Sequence, residues 1–565
     1  YFMKVIIIGG VAGGATAAAR LRRLDEKASI TIYEKSGFIS YANCGLPYYI
    51  GGEIEDEGEL TLQTPQSFKA RFNVEVNVNC RVTAIDTAAK TVTVEQLKTG
   101  KVFTDSYDKL IISTGAHPAL FGIGGADTRG VFTLRTVEDT LAIKRYIDDE
   151  HPREAIVAGG GYIGIELAEN LVRNFIKVTI LQRPNQLLAP LDYDMACLVA
   201  SKLKKEGVEV VFGASVKAFS RKGDKIICTL ADGSTRPCDM AIAALGVLPD
   251  SSLAVQAGLK TGVKGAICVN ERMQTSAPDV YAVGDAVEVT HFVTGAKALI
   301  SLAGPANKQG RIAADNICGI PSEYCGSQGS SVIKVFDMTV ATTGINERAA
   351  QAAGINCQSV VLSPSSHAGY YPGARTMTMK VVFENTTARI LGAQIVGYDG
   401  VDKRIDVIAT AMRAGLTADK LTELDLAYAP PYSSAKDPVN MAGYMIENIM
   451  NGLVKQFTWH DIPGLTGDEG AFLLDARTRG EYAAGHVAGF INIPLDELRG
   501  RLAEVPAGKR IYVMCHSGLR SYLACRILAQ NGFDCFNFSG GYAFLRSVCL
   551  GGGMPENMFS CGMER

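Results

Sequence analysis

An α/β fold built on parallel sheets is predicted for this chain by three observations. An apolar strand near the N-terminus runs into a glycine turn and an Ala-rich helix. The same strand–turn–helix unit recurs from Ala155. A further strand delivers Cys515 into a short loop ahead of another helix.

The first unit opens with the apolar run Lys4–Gly9, continues through Gly9-Gly10-Val11-Ala12-Gly13-Gly14, and enters a helix ending in Arg20-Leu21-Arg22-Arg23. A second strand, Ser29–Glu34, ends in an acid. Glycines let the backbone approach a pyrophosphate, the helix N-terminus faces its charge, and Glu34 can accept ribose hydroxyls. Val11 stands where the middle Gly of this turn is usual, and Ala12 follows it. In the second unit Gly159, Gly161 and Gly164 fill all three glycine positions, Glu166 follows, and the next strand ends in Gln182-Arg183. An acid at that strand end repels a 2′-phosphate. Gln182 removes the repulsion and Arg183 adds a cation, so NADPH is expected to be accepted beside NADH. Asp108–Gly115, with Thr114 and Gly115 at its end, reads as a strand running into a crossover. Thr275–Ala286 places Asp285 beside Gly284 at another strand end.

The bulk numbers set limits. At 565 residues several domains are expected. Apolar content of 47% and charged content of 20% are those of a globular protein. A net charge of −2 offers no footprint for nucleic acid or an anionic membrane. No charge-free apolar run reaches ~18 residues, and a cytoplasmic location is the expectation. Among 14 cysteines there is no Cys-x-x-Cys pair, so no metal site is expected. Most read as reduced, buried thiols. Cys44 and Cys515 stand apart.

Taken in order, the four nucleotide segments resemble the two-dinucleotide-binding flavoprotein disulfide reductase family over about residues 3–445. That resemblance implies two Rossmann-like domains, for FAD and NAD(P)H, with the second inserted into the first. It implies an FAD domain at 3–112 and 246–325, an NAD(P) domain at 113–245, and an α+β dimerisation domain at 326–447. A homodimer follows. It also implies cofactor contacts at Lys35, Asn43, Val82 and Ala303, beside Gly9, Glu34 and the other positions above. Residues 448–466 read as a linker and hold the only Trp, Trp459. Phe472–Arg477, Glu481–Pro494, the Cys515 loop and Gly540-Gly541-Tyr542 resemble a rhodanese domain, set at 467–550, with a loose tail at 551–565.

Cys44 lies in Ser40-Tyr41-Ala42-Asn43-Cys44-Gly45-Leu46-Pro47. The broad family carries two cysteines five apart, but positions 39 and 49 are Ile39 and Tyr49. A lone thiol must bond to an external substrate, as a mixed disulfide or a sulfenic acid. The motif resembles the single-cysteine branch: coenzyme A-disulfide reductases, persulfide reductases, NADH oxidases and peroxidases. His367–Gly373 and Leu426–Tyr432 resemble the coenzyme A-disulfide reductase pattern, which implies Tyr370 and Tyr428 as phenols that reach the partner subunit's cysteine. The same pattern implies coenzyme A contacts at Thr16, Arg20, Arg23, Ser40, Asn43, Arg71 and Lys436. Asn307 stands where a relative carries His.

The loop Cys515-His516-Ser517-Gly518-Leu519-Arg520 points backbone N–H groups and a helix dipole at one sulfur. That favours an anionic persulfide. A phosphatase loop is one residue longer. Asp475, Arg477 and His486 read as braces. The resulting expectation is FAD-dependent reduction of coenzyme A persulfide, coenzyme A disulfide or polysulfide by NAD(P)H at Cys44, with Cys515 carrying sulfane sulfur. The alternatives are a peroxidase or oxidase working through a Cys44 sulfenate, and a non-catalytic sulfur-carrier or redox-sensing protein.

Overall fold

The computed structural model describes residues 2–552 and the backbone at 559–560. Most of the expected tail at 551–565 lies outside the described residues. The chain divides into two compact units: residues 1–185 with 207–329, and residues 186–206 with 330–565.

The first unit holds two parallel five-stranded sheets. In one, the strands Val280–Ala282, Lys109–Ile112, Lys4–Ile8, Ser29–Glu34 and Glu75–Val78 lie side by side in that order. Lys109–Ile112 pairs with both Lys4–Ile8 and Val280–Ala282, so the segments flanking the inserted sequence share one sheet. Val5, Ile6 and Ile7 are fully buried, as expected for a strand covered on both faces. Each contributes about 1.5–3 kcal/mol by leaving water. The second sheet runs Val131–Phe132, Met240–Ala243, Glu154–Ala158, Lys177–Gln182, Glu209–Phe212. Each sheet sends its central strand into a glycine turn and a helix, Ala12–Leu24 in one and Tyr162–Arg173 in the other.

The second unit joins an antiparallel sheet to a parallel one. The antiparallel order is Ser331–Val335, Met338–Gly344, Ile390–Gly397, Thr378–Glu384, Cys357–Leu362. Helix Val401–Arg413 follows. Ala418–Glu423 forms a 3-10 turn. There the Thr422 hydroxyl donates to the Asp419 carbonyl at 2.8 Å, a local bond that competes with a regular helix. The parallel sheet runs Lys455–Phe457, Cys535–Phe538, Arg510–Met514, Ala471–Asp475, Ile491–Asn492. The stretch 448–466, expected as a linker, therefore contributes an edge strand, Lys455–Phe457, paired with Cys535–Phe538.

A buried ionic cluster ties this unit together. Lys380 is 2% exposed, and its ammonium lies 3.1 Å from Asp192, 2.8 Å from Asp194 and 2.6 Å from Glu347. The Trp459 indole N–H donates to Asp194 at 3.3 Å, and the Gln394 amide donates to Asp192 at 2.7 Å. Helix Tyr193–Lys205 packs on helix Gly541–Leu550, and the Tyr193 hydroxyl donates to the Gly551 carbonyl at 3.1 Å. Among the described residues no helix is long and apolar enough to cross a membrane.

Candidate functional site

Both glycine turns have the form a pyrophosphate needs. A Cβ on Gly14 would stand 1.9 Å from the Gly9 carbonyl oxygen, and one on Gly164 would stand 2.0 Å from the Gly159 oxygen. Side chains are thus excluded where helix meets strand. Gly161 has nothing within 4 Å of its Cβ position, which leaves the second helix N-terminus open. Val11 caps the first helix and Ala12 begins it. Glu34 is buried, and its two oxygens accept from the Gly10 N–H at 2.8 Å and the Ser36 N–H at 2.9 Å. Burial pushes its carboxyl up, against those two donors. Gln182 repeats the device: its Oε1 accepts from the Gly160 N–H at 2.8 Å, while Arg183 is exposed. Glycine turns that lead into helix N-termini fit two dinucleotides.

Cys44 sits on a 3-10 turn, Asn43–Gly45, ahead of the short helix Leu46–Ile50. Ser40, at a left-handed φ of 45°, donates its N–H to the Gly10 carbonyl at 2.8 Å and ties this segment to the first glycine turn. The Tyr48 hydroxyl donates to Glu166 at 3.2 Å, so the second glycine turn's helix is bonded to the helix after Cys44. Arg135 donates to Asp285 at 2.6 Å. Although Cys44 reaches solvent, the protein around it thins its hydration. Desolvation, then the charge of Glu166 and Asp285, pushes its thiol up, and Arg135 opposes them. Burial raises the Glu166 carboxyl to about 7. Three side chains far apart in sequence thus set the charge around one thiol.

Other expected cofactor positions divide. The Thr114 hydroxyl donates to the Asp250 carbonyl at 2.5 Å, beside Gly115, and Lys35 pairs with the Asp250 carboxylate at 3.0 Å. The Gly284 N–H donates to Gln309 at 2.7 Å, and Ala303 opens helix Ala303–Ile317. The Val82 side chain is buried in the core with Ile8 and Ile112, so its backbone alone could meet a ligand. Among the expected substrate contacts, the Thr16 hydroxyl donates to Asn307 at 2.5 Å. Arg20 is bonded to nearly buried Asp315 at 2.7 Å, so its charge is already partnered. Arg23, Arg71 and Lys436 are exposed, and Asn43 is half-buried.

In the second unit Tyr370 and Tyr428 are exposed and bonded hydroxyl to hydroxyl at 2.8 Å. That bond pushes the Tyr428 phenol up. A residue not singled out from sequence holds their loops. Arg404, 1% exposed, donates to the Ser366 and Tyr432 carbonyls at 3.0 and 3.3 Å, the Ser433 hydroxyl at 3.1 Å and Asp437 at 3.2 Å.

Cys515 is fully buried. The Gly518 N–H donates to its sulfur at 3.1 Å, as the loop pattern predicts, and the Ser521 hydroxyl adds a second donor at 3.2 Å. Helix Leu519–Gln530 starts inside the loop because Gly518 takes a left-handed turn. His516 and Leu519 are exposed, and Ser517 is half-buried. Arg520 grips Glu481 with two bonds, at 2.6 and 2.7 Å. That pairing holds the Glu481 carboxyl down at about 2. From the other side the Tyr542 N–H donates to the Cys515 carbonyl at 2.8 Å. A Cβ on Gly541, at φ +77°, would stand 2.5 Å from the His516 oxygen. Asp475 and Arg477 form a buried two-pronged pair. His486 stacks on Tyr482. Ser521 was legible one residue past the loop motif. Glu481 shows locally only as the acid of a Thr478-x-x-Glu481 capping box, and neither its pairing with Arg520 nor the role of Arg404 has a local signal.

Comparison with known proteins agrees with this arrangement. Residues 3–310 match the pyridine nucleotide-disulphide oxidoreductase family, residues 330–438 its dimerisation domain, and residues 460–544 the rhodanese-like domain. A coenzyme A disulfide reductase of Staphylococcus haemolyticus (strain JCSC1435) is 36% identical over 447 residues, covering 79% of this chain and 100% of that protein. The structure of reduced Bacillus anthracis CoADR-RHD superposes with a TM-score of 0.95 at 47% identity, covering 97% of this chain and 98% of that one. An NAD-dependent persulfide reductase from A. fulgidus superposes at 0.90 with 39% identity, covering 96% and 100%. The chain therefore belongs to the pyridine nucleotide-disulphide oxidoreductase family, whose cofactors are FAD and NAD(P)H, and it carries a C-terminal rhodanese domain.

Proposed function

We propose that this enzyme is a homodimer that reduces coenzyme A persulfide, or a related disulfide or polysulfide, with NAD(P)H at Cys44, and that Cys515 carries sulfane sulfur. The observation that carries the reading is one chain holding both an exposed lone thiol between two nucleotide turns and a buried thiol cradled by N–H and O–H donors. The bound dinucleotides supply the electron pair. Cys44 attacks the substrate's S–S bond and forms a mixed disulfide or takes the outer sulfur, while a thiol or sulfide departs. Its raised thiol favours the protonated form, so a proton acceptor or the nearby Arg135 charge must release the thiolate. Tyr370 and Tyr428 provide the phenol pair that serves the cysteine across the dimer and protonates the leaving sulfur. Arg23, Arg71 and Lys436 offer cations for the phosphates of coenzyme A. Arg20 contributes less, because Asp315 holds it.

Two experiments check the finer parts. Cys515→Ser should remove thiosulfate-dependent sulfur transfer and leave reduction of preformed coenzyme A persulfide within about threefold; transfer that survives would refute the role of the loop. Exposed Arg183 and the absence of an acid at Gln182 lead to kcat/KM values for NADPH and NADH within about tenfold. A preference for NADH of 100-fold or more, roughly 2.7 kcal/mol, would contradict it.

A further inference from the structure

One apolar cluster of the C-terminal domain holds three cysteines, and the proposed reaction uses one. Cys515, Cys525 and Cys535 are 0%, 2% and 7% exposed and share one apolar cluster with Leu474, Val513 and Leu528. Cys525 lies on helix Leu519–Gln530 and Cys535 begins strand Cys535–Phe538. The Cys535 thiol donates to the Cys525 carbonyl oxygen at 3.2 Å. Cys525 follows Ser521 by four residues, so it lies on the same helix face one turn from the hydroxyl that touches Cys515. Sulfur arriving on Cys515 is already inside.

We propose that Cys525 and Cys535 form a second sulfur-handling site, an internal dithiol that takes the outer sulfur of a Cys515 persulfide and reduces it to sulfide. This rests on Cys515 being a sulfane carrier. In the first step Cys525 attacks the outer sulfur of Cys515–S–SH, and its proton goes to the departing Cys515 sulfur. The Cys515–sulfur bond breaks, Cys515 leaves as a thiol, and the outer sulfur resides on Cys525. In the second step Cys535 attacks the Cys525 Sγ, gives its proton to the departing sulfur, and closes a Cys525–Cys535 disulfide as hydrogen sulfide leaves. The dithiol loses two electrons and the sulfane sulfur gains them. The site turns over once and needs a dithiol reductant to reopen. It gives the rhodanese domain a route to sulfide that does not pass through Cys44.

The test uses the flavin-loaded Cys44→Ser protein without NAD(P)H or added thiol, given one equivalent of thiosulfate per chain. Free sulfide is assayed, and disulfides and persulfides are mapped on peptides without reduction. The expected result is about one sulfide per chain, a Cys525–Cys535 bridge and no extra sulfur left on Cys515. A further Cys535→Ser change should cut sulfide at least tenfold and leave the extra sulfur on Cys515 or Cys525. Sulfur stably held by Cys515 with no bridge would overturn the proposal and leave the carrier role standing. No sulfur on Cys515, no sulfide and no bridge would overturn both. The peptide map of the parent decides this without any core variant.

Discussion

Cys44→Ser lowers NAD(P)H-dependent reduction of coenzyme A persulfide at least about 1000-fold, roughly 4 kcal/mol of barrier. The reason is chemical and positional. A thiolate exchanges with sulfur–sulfur bonds, and a serine hydroxyl does not. No second thiol can take over, because Ile39 and Tyr49 occupy the positions five residues to either side. Cys80, the next cysteine in sequence, is buried. The glycine turns, Glu34 and Asp285 are untouched by the change, so flavin should stay bound at wild-type stoichiometry. Steady-state rates together with the visible flavin spectrum check both halves. Full activity with bound flavin would show that the substrate is reduced without this thiol.

Lys380→Met is expected to cost about 3–5 kcal/mol of stability in the C-terminal unit. Burial alone would pull the Lys380 ammonium down, but Asp194, Asp192 and Glu347 together outweigh it and hold the proton on. Removing that charge while keeping the carboxylates leaves buried anions uncompensated, which is the expensive way to break such a cluster. The damage should spread, since Asp194 also accepts from Trp459, beside the strand that begins the parallel sheet. Calorimetry should find the transition of this unit lowered by on the order of 10 °C. An unchanged transition would mean that the cluster contributes little.

The parts legible in the sequence are those whose physics is local. Gly14 and Gly164 are fixed by a carbonyl five residues back in the chain, so their spacing is itself the signal. The Cys515 loop is likewise short, and Gly518 does what its position suggests. The rest depends on partners that only folding brings together. Arg20 reads as a cation on a helix end, but Asp315, 295 residues on, holds it. Arg520 reads as a charge beside sulfur, but Glu481 is its partner. Lys380 sits in an apolar strand and meets Asp194 across 186 residues. The edge strand Lys455–Phe457 has three residues, too few for an alternating pattern to show.

The central step is the reduction of persulfide sulfur at Cys44. The most direct measurement is anaerobic: sulfide released and NAD(P)H oxidised are followed together with coenzyme A persulfide as the sole acceptor, and hydrogen peroxide is tried separately at the same concentration. The prediction is about one sulfide per nicotinamide oxidised, at a rate well above that with peroxide. Peroxide consumed faster than persulfide, or nicotinamide oxidised with no sulfide released, would contradict it and point to the sulfenate chemistry of an oxidase or peroxidase.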